Sequence, residues 1–306
     1  MKQEKIINTI LEQLKQNEWK GKIVSMEHIS ELQIEIEEQH KKGRLDDLLY
    51  DEYLNRFDFK ILDTFPDARS MIIVTAPQPQ VRVTFMWKGQ THPCIIPSTY
   101  CMATDDQIEK SIKDVLIPQG YCLEKIRLPE KLLAVRSGLA RYGKNNITYV
   151  TGIGSFHRLA VFVSDLSFAE DNWRDLKILK TCDGCTACMD ACPTGAIVSN
   201  RFLVYAERCI TFHNERQGEF PEWLDPSWHN CLVGCLYCQN ACPMNQKLLN
   251  WIETGPTFSE EETAYIIDGM SQDQLADKTM ETIETLHMTE YRDVMGRNLK
   301  AIIKKR

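Results

Sequence analysis

The spacing of the cysteines between residues 182 and 242 constrains this chain more than any other feature. The run Cys182-x2-Cys185-x2-Cys188-x3-Cys192-Pro193 is followed by Cys235-x2-Cys238-x3-Cys242-Pro243. Three cysteines at two-residue gaps wrap one iron–sulfur cubane, and the three-residue step with its proline sends the fourth toward a second cubane. The spacing therefore predicts two [4Fe–4S] clusters. Cys182, Cys185, Cys188 and Cys242 hold the first; Cys192, Cys235, Cys238 and one more hold the second. The second motif lacks a third closely spaced cysteine, and both Cys209 and Cys231 are candidates for the remaining ligand. Structural zinc also uses C-x2-C pairs, but the first run is too dense for paired zinc ribbons.

Nine of the twelve cysteines lie in this region. Cys94, Cys101 and Cys122 stand apart and read as buried small hydrophobes. The opening MKQEKIINTILEQLKQ has no long apolar core, no cleavage-site pattern and no twin-arginine signal. No apolar run approaches the ~20 residues of a membrane span. A cytoplasmic protein with no membrane partner is expected, and there twelve cysteines argue for metal ligation over disulfides. The net charge is −7, and thiolate-bound clusters make it more negative. No basic stripe supports nucleic-acid binding; the terminal Lys304, Lys305 and Arg306 read as a solvated helix end.

Residues 4–17 place Ile6, Ile7, Ile10, Leu11 and Leu14 at helical spacing. Lys22–Met26 reads as a strand and 27–57 as helical, with Ile29, Leu32 and Ile36 on one face. Met71–Ala76 is a continuous apolar run between prolines, hence a buried strand. Val81–Trp87 reads as a second strand, open to hairpin pairing with the first. Residues 88–104, with Gly89, Pro93 and Pro97, read as loop. Asp105–Leu116 reads as a helix with Thr104 as N-cap, and 130–141 as another behind Pro129. Ile147–Thr151 and Leu159–Ser164 read as strands. After Pro243 the segments 246–253, 259–269, 272–287 and 289–304 read as helices. The fold class is α+β, and the pair of cysteine motifs is the one internal repeat.

The stretch Ser137-Gly138-Leu139-Ala140-Arg141-Tyr142-Gly143-Lys144-Asn145-Asn146, with Gly154-Ser155 after it, resembles the A-G-L-G-W-x-G-K-N…G-S stretch of epoxyqueuosine reductases. Pro66-Asp67-Ala68-Arg69-Ser70, Cys209-Ile210, Gly234-Cys235 through Asn245, and Tyr291-Arg292-Asp293…Arg297-Asn298 extend the resemblance over roughly residues 60–300. It implies a nitroreductase-like α/β cobalamin-binding domain (1–170), a ferredoxin-like double-cluster domain (171–250) and a helical C-terminal region (251–306). It also implies Cys209 as the fourth ligand of the second cluster. The family's catalytic aspartate falls on Glu124, expected as a buried general acid with a raised pKa. Tyr142, Lys144 and Asn145 fall where the corrin or its nucleotide loop binds, and His157, beside Gly154-Ser155, joins them as a cofactor-site candidate. No histidine has an aspartate two residues before it, so the D-x-H-x-x-G pattern that gives cobalt a histidine ligand is missing.

The resemblance departs at Glu124, Glu in place of Asp, and at Arg141, in place of Trp. The chain also ends at residue 306, before the helical-repeat region that full-length relatives often carry. The implied function is an oxidoreductase in which the clusters reduce cobalamin for reductive deoxygenation of a modified tRNA base. Its implied partners are tRNA and an external ferredoxin or flavodoxin. Two alternatives stand beside it: a reductive dehalogenase-like corrinoid enzyme, and a non-enzymatic ferredoxin-like carrier or corrinoid activator.

Overall fold

A computed structural model describes residues 2–100, 103–168, 172–269 and 275–304. Cys101, Lys305, Arg306 and the start of the 272–287 segment lie outside the described residues. In chain order the strands are β1 (Lys20–Ser25), β2 (Ser70–Pro77), β3 (Gln80–Trp87), β4 (Gln90–Ile96), β5 (Leu123–Lys125), β6 (Arg141–Tyr142), β7 (Thr148–Tyr149), β8 (His157–Ser164) and β9 (Ile252–Phe258). The first six helices are α1 (Lys2–Gln16), α2 (Ile29–Lys41), α3 (Asp47–Glu52), α4 (Ile61–Thr64), α5 (Ala103–Leu116) and α6 (Glu130–Arg136). The other six are α7 (Ala187–Asp190), α8 (Ile210–Glu215), α9 (Tyr237–Asn240), α10 (Glu260–Ile267), α11 (Leu275–Thr285) and α12 (Arg292–Lys304).

Contacts group these elements into two units, neither of them one continuous stretch. The first is Met1–Pro77 with Ala103–Cys185, the second Gln78–Met102 with Thr186–Arg306. The boundaries at 170 and 250 that the resemblance implies follow the order of motifs along the chain, whereas these units follow contacts, with residues 78–102 grouped with the C-terminal half.

The first unit is built on an antiparallel sheet ordered β1-β2-β8-β5. Every residue of β2 up to Ala76 is buried, which explains its unbroken apolar run: both faces of the strand are covered. Ile72, Val74 and Ala76 face Ile6, Ile10 and Leu14 of α1 and Ile108, Ile112 and Leu116 of α5. α6 packs on β2 and β8. Each such aliphatic side chain contributes roughly 1.5–3 kcal/mol by leaving water. Helix α5 starts at Ala103, so Thr104 lies inside its first turn and is not its cap. Helix α6 ends at Arg136, well before residue 141, because Gly138 turns left-handed (φ +74°).

The second unit holds a three-stranded sheet ordered β4-β3-β9. Here two expectations are corrected. Val81–Trp87 does not pair with β2; Lys88 and Gly89, both at positive φ, turn it into a hairpin with β4. β4 occupies part of the expected loop 88–104. Its Pro93 is tolerated because, among the described residues, β4 is an edge strand with β3 on one side only. The second correction is β9: the expected helix over 246–253 is absent, and Ile252–Phe258 runs parallel to β3. Gly255 and Pro256 form the irregularity opposite Val83. A Cβ on Gly255 would lie 2.7 Å from Val81 Cγ1. Phe85 and Phe258 stack across β3 and β9 with ring centroids 4.8 Å apart. They anchor a core with Ile266, Ile283, Met295 and Leu299 of the C-terminal helices.

Candidate functional site

The two cysteine motifs fold alike. Gly184 (φ +70°) precedes Cys185 and Gly234 (φ +73°) precedes Cys235. The residues after those cysteines, Thr186 (φ −119°, ψ −3°) and Leu236 (φ −114°, ψ 0°), lead into the one-turn helices α7 and α9. These carry Cys188 and Cys238 and pack on each other. Each helix closes on a cysteine whose N–H returns to the chain, Cys192 N to Met189 O at 3.2 Å and Cys242 N to Gln239 O at 3.2 Å. Proline follows each and stops the helix. The sequence repeat is thus a repeat of backbone conformation. Only glycine serves at 234: besides its φ, a Cβ there would lie 2.5 Å from Tyr100 Oη.

Within the second unit, Cys192, Cys209 and Cys235 lie close enough for their sulfurs to repel electrostatically when ionised. The Cys209 sulfur accepts from the backbone N–H groups of Thr211 and Phe212 at the start of α8, and that of Cys235 accepts from Tyr237 N. Such donors stabilise the thiolates that a cubane requires. Burial pushes the Cys235 thiol up to about 12, with those N–H bonds opposing and Cys209 and Cys192 adding. A bound cluster removes that proton, since its iron ligates thiolate. Cys231 is placed differently. It is fully buried, its thiol is raised first by burial and then by Cys235 and Cys94, and its sulfur donates to Asn230 Oδ1 at 2.9 Å. Cys94 is buried as expected, whereas Cys122 is exposed ahead of edge strand β5.

A polar scaffold braces this loop, and motif reasoning did not assign its parts. Asn214 Nδ2 donates to Gly234 O at 2.8 Å; Asn298 Nδ2 donates to Asn214 O at 2.8 Å and Leu232 O at 2.9 Å. Arg297 Nη2 donates to His213 O at 2.8 Å. The Tyr100 hydroxyl donates to Glu215.

The cofactor candidates of the first unit sit on and beside the β6–β7 hairpin. Tyr142 is buried, and burial, then the Glu35 carboxylate, raise its phenol above the ordinary range. Asn145 is buried, with Nδ2 donating to Tyr149 Oη (3.0 Å) and Oδ1 accepting from Ile147 N (3.3 Å). Lys144 Nζ donates to Cys185 O at 3.2 Å, tying the hairpin to the first cysteine loop. His157 is buried at the start of β8, its Nε2 3.0 Å from Thr148 Oγ1. Asn145 is hydrogen-bonded through both amide atoms and His157 through Nε2, while the buried His157 Nδ1 has no hydrogen-bond partner among the described residues.

Burial pulls the His157 imidazole down to about 4, with the Gly154 backbone opposing. A depressed histidine keeps the folded state neutral while the unfolded chain protonates near 6.5. The contribution is therefore present above about pH 6.5 and lost as pH falls toward 4, by ~3 kcal/mol in all. His157→Gln is expected to flatten that acid-side loss by up to about one proton. Urea unfolding between pH 7 and 4.5 measures this, and equal slopes for the two proteins rule it out.

Glu124 is exposed on β5, which corrects the expected buried carboxyl: β5 is the edge strand of its sheet, paired only with β8. Glu130, at the start of α6, has a raised pKa. Burial raises it, Arg158 at 4.0 Å opposes, and Asp105 adds. Asp105 itself is fully buried, accepting from Arg158 Nε and Nη2, both at 2.9 Å, with Lys125 Nζ at 3.0 Å. Nothing in the sequence marks this cluster, because its members lie far apart along the chain.

Residues 181–245 match the family of 4Fe-4S double cluster binding domains. The chain is 35% identical over 119 residues to the epoxyqueuosine reductase of Bacillus subtilis (strain 168), covering 39% of this chain and 30% of that protein. It is 37% identical over 118 residues to that of Escherichia coli (strain K12), covering 38% and 30%. The match thus spans under a third of these relatives' length. In fold the likeness is broader. The crystal structure of epoxyqueuosine reductase with an epoxyqueuosine-modified tRNA-Tyr stem loop superposes with TM-score 0.69 at 20% identity, over 99% of this chain and 82% of that one. The Streptococcus thermophilus epoxyqueuosine reductase superposes with TM-score 0.67 at 16% identity, over 98% and 81%.

Proposed function

We propose that this chain, which resembles epoxyqueuosine reductases in sequence and fold and carries a double-cluster domain, is an oxidoreductase of that type, removing the epoxide oxygen from a modified tRNA base. The observation that carries the reading is the fold likeness over 99% of this chain to the structure solved with the modified stem loop. Electrons enter from an external ferredoxin or flavodoxin and pass between clusters held by Cys182, Cys185, Cys188 and Cys242 and by Cys192, Cys209, Cys235 and Cys238. Cobalamin belongs to this reading through the resemblance, as the group that supplies two-electron reducing power when bound. Among the described residues no helix is long and apolar enough to cross a membrane.

The chain's own part is to position the substrate and supply a proton. That proton comes from the Glu124–Glu130 segment. Glu124 is the position the resemblance matches, and its exposure leaves it open to a substrate. Glu130 is raised above the ordinary carboxylate range by burial, with Arg158 opposing.

The test is anaerobic conversion of an epoxyqueuosine-containing stem loop by the cluster-loaded protein, with cobalamin added. Turnover is expected, and Glu124→Gln is expected to lower it by ~10² or more with iron content unchanged. Loss of turnover in Glu130→Gln instead would move the role to that residue. A fully loaded protein that retains corrin yet leaves the stem loop untouched removes the substrate assignment.

A further inference from the structure

We propose that Asn230 sets the reduction potential of the second cluster by donating a hydrogen bond from its side-chain amide to the sulfur of Cys235. Asn230 is half-buried immediately before Cys231. Its Oδ1 accepts twice, from Leu236 N at 3.1 Å and from the Cys231 thiol at 2.9 Å. Two donors on that oxygen fix which way the amide points. Its Nδ2 is thereby turned toward Cys235, whose sulfur lies 3.5 Å away. The buried Cys231 thus acts on the cluster at second hand: it orients the residue that touches the ligand.

The consequence is electrostatic. A reduced cluster carries one more negative charge, shared with its sulfurs. An N–H aimed at one sulfur stabilises the reduced form more than the oxidised form and raises the potential. Leu236 follows Cys235 directly, so the same side chain also pins the backbone on which that ligand sits. The proposal rests on the double-cluster reading and is independent of the substrate.

The experiment is an anaerobic redox titration of the full-length, cluster-loaded protein, followed by electron paramagnetic resonance so that the two clusters are read separately. Asn230→Asp keeps the acceptor oxygen and loses the donor; Asn230→Leu loses the donor without adding charge. In both, one cluster is expected to become about tenfold harder to reduce, ~59 mV for a one-electron couple. The other cluster stays in place, with iron still at about eight per chain. If Asn230→Asp fails to hold its clusters, Asn230→Leu decides alone. An unmoved potential in Asn230→Leu overturns the proposal, as does an equal shift of both clusters. A wild-type protein that cannot be loaded to about eight irons sinks the cluster reading first, and this inference with it.

Discussion

Cys209→Ser is expected to bring anaerobically loaded protein from about eight iron and eight sulfide per chain to about four of each, while Cys231→Ser leaves both near eight. Either cysteine satisfies the spacing, so the sequence alone leaves them level. Position separates them. Cys209 lies beside Cys192 and Cys235, and its sulfur receives the first N–H groups of α8. That is the end of a helix where negative charge is favoured. Cys231 is fully buried, feels Cys235 and then Cys94, and its sulfur donates to Asn230 Oδ1 rather than receiving helix N–H groups. Serine at 231 keeps a donor for Asn230 Oδ1, so the loop and the neighbouring ligand hold. Serine at 209 offers an alkoxide donor that iron–sulfur clusters accept poorly in place of thiolate. Iron and acid-labile sulfide analysis reads the outcome. The reverse pattern, a cluster lost with Cys231→Ser and kept with Cys209→Ser, would exchange the two roles.

Asp105→Ala is expected to cost ~3–5 kcal/mol, through breaking a buried ion pair from one side. The fully buried carboxylate takes both ends of the Arg158 guanidinium at 2.9 Å and Lys125 at 3.0 Å. Alanine leaves Arg158, on strand β8, desolvated and without its close carboxylate, with Glu130 at 4.0 Å the more distant one. Replacing both partners, Asp105→Leu with Arg158→Met, should recover most of the loss, because an apolar pair of similar volume needs no compensation. Anaerobic thermal melting at fixed scan rate checks this; for a chain of this size the single change corresponds to a fall of roughly 10 °C. A single variant melting within about 1 °C of wild type would mean that water already screens the cluster.

The two predictions differ in how they could have been found. The cluster ligands are legible because cubane chemistry demands thiolates at short, fixed gaps, and such gaps are a property of the chain. The buried face of α1 and the doubly covered β2 are legible for a similar reason: periodicity and an unbroken apolar run record burial locally. The strand β9 is not. Ile252–Phe258 has no alternation of its own and becomes a strand only because β3 offers its edge, with Gly255 allowing the close approach. The same holds for β4, whose Pro93 argues for loop until its edge position is known.

At the candidate site, sequence determined the element and the pattern: sulfur ligands, two runs, a proline after the last cysteine of each. Tertiary structure set the different surroundings of Cys209 and Cys231, buried Asn145 and His157, exposed Glu124 and assembled Asp105, Arg158, Lys125 and Glu130 from separate elements. The reason is range. Ligand spacing and helical period act over a few residues, whereas burial and charge pairing depend on which distant segments the fold brings together, and one sequence does not display that.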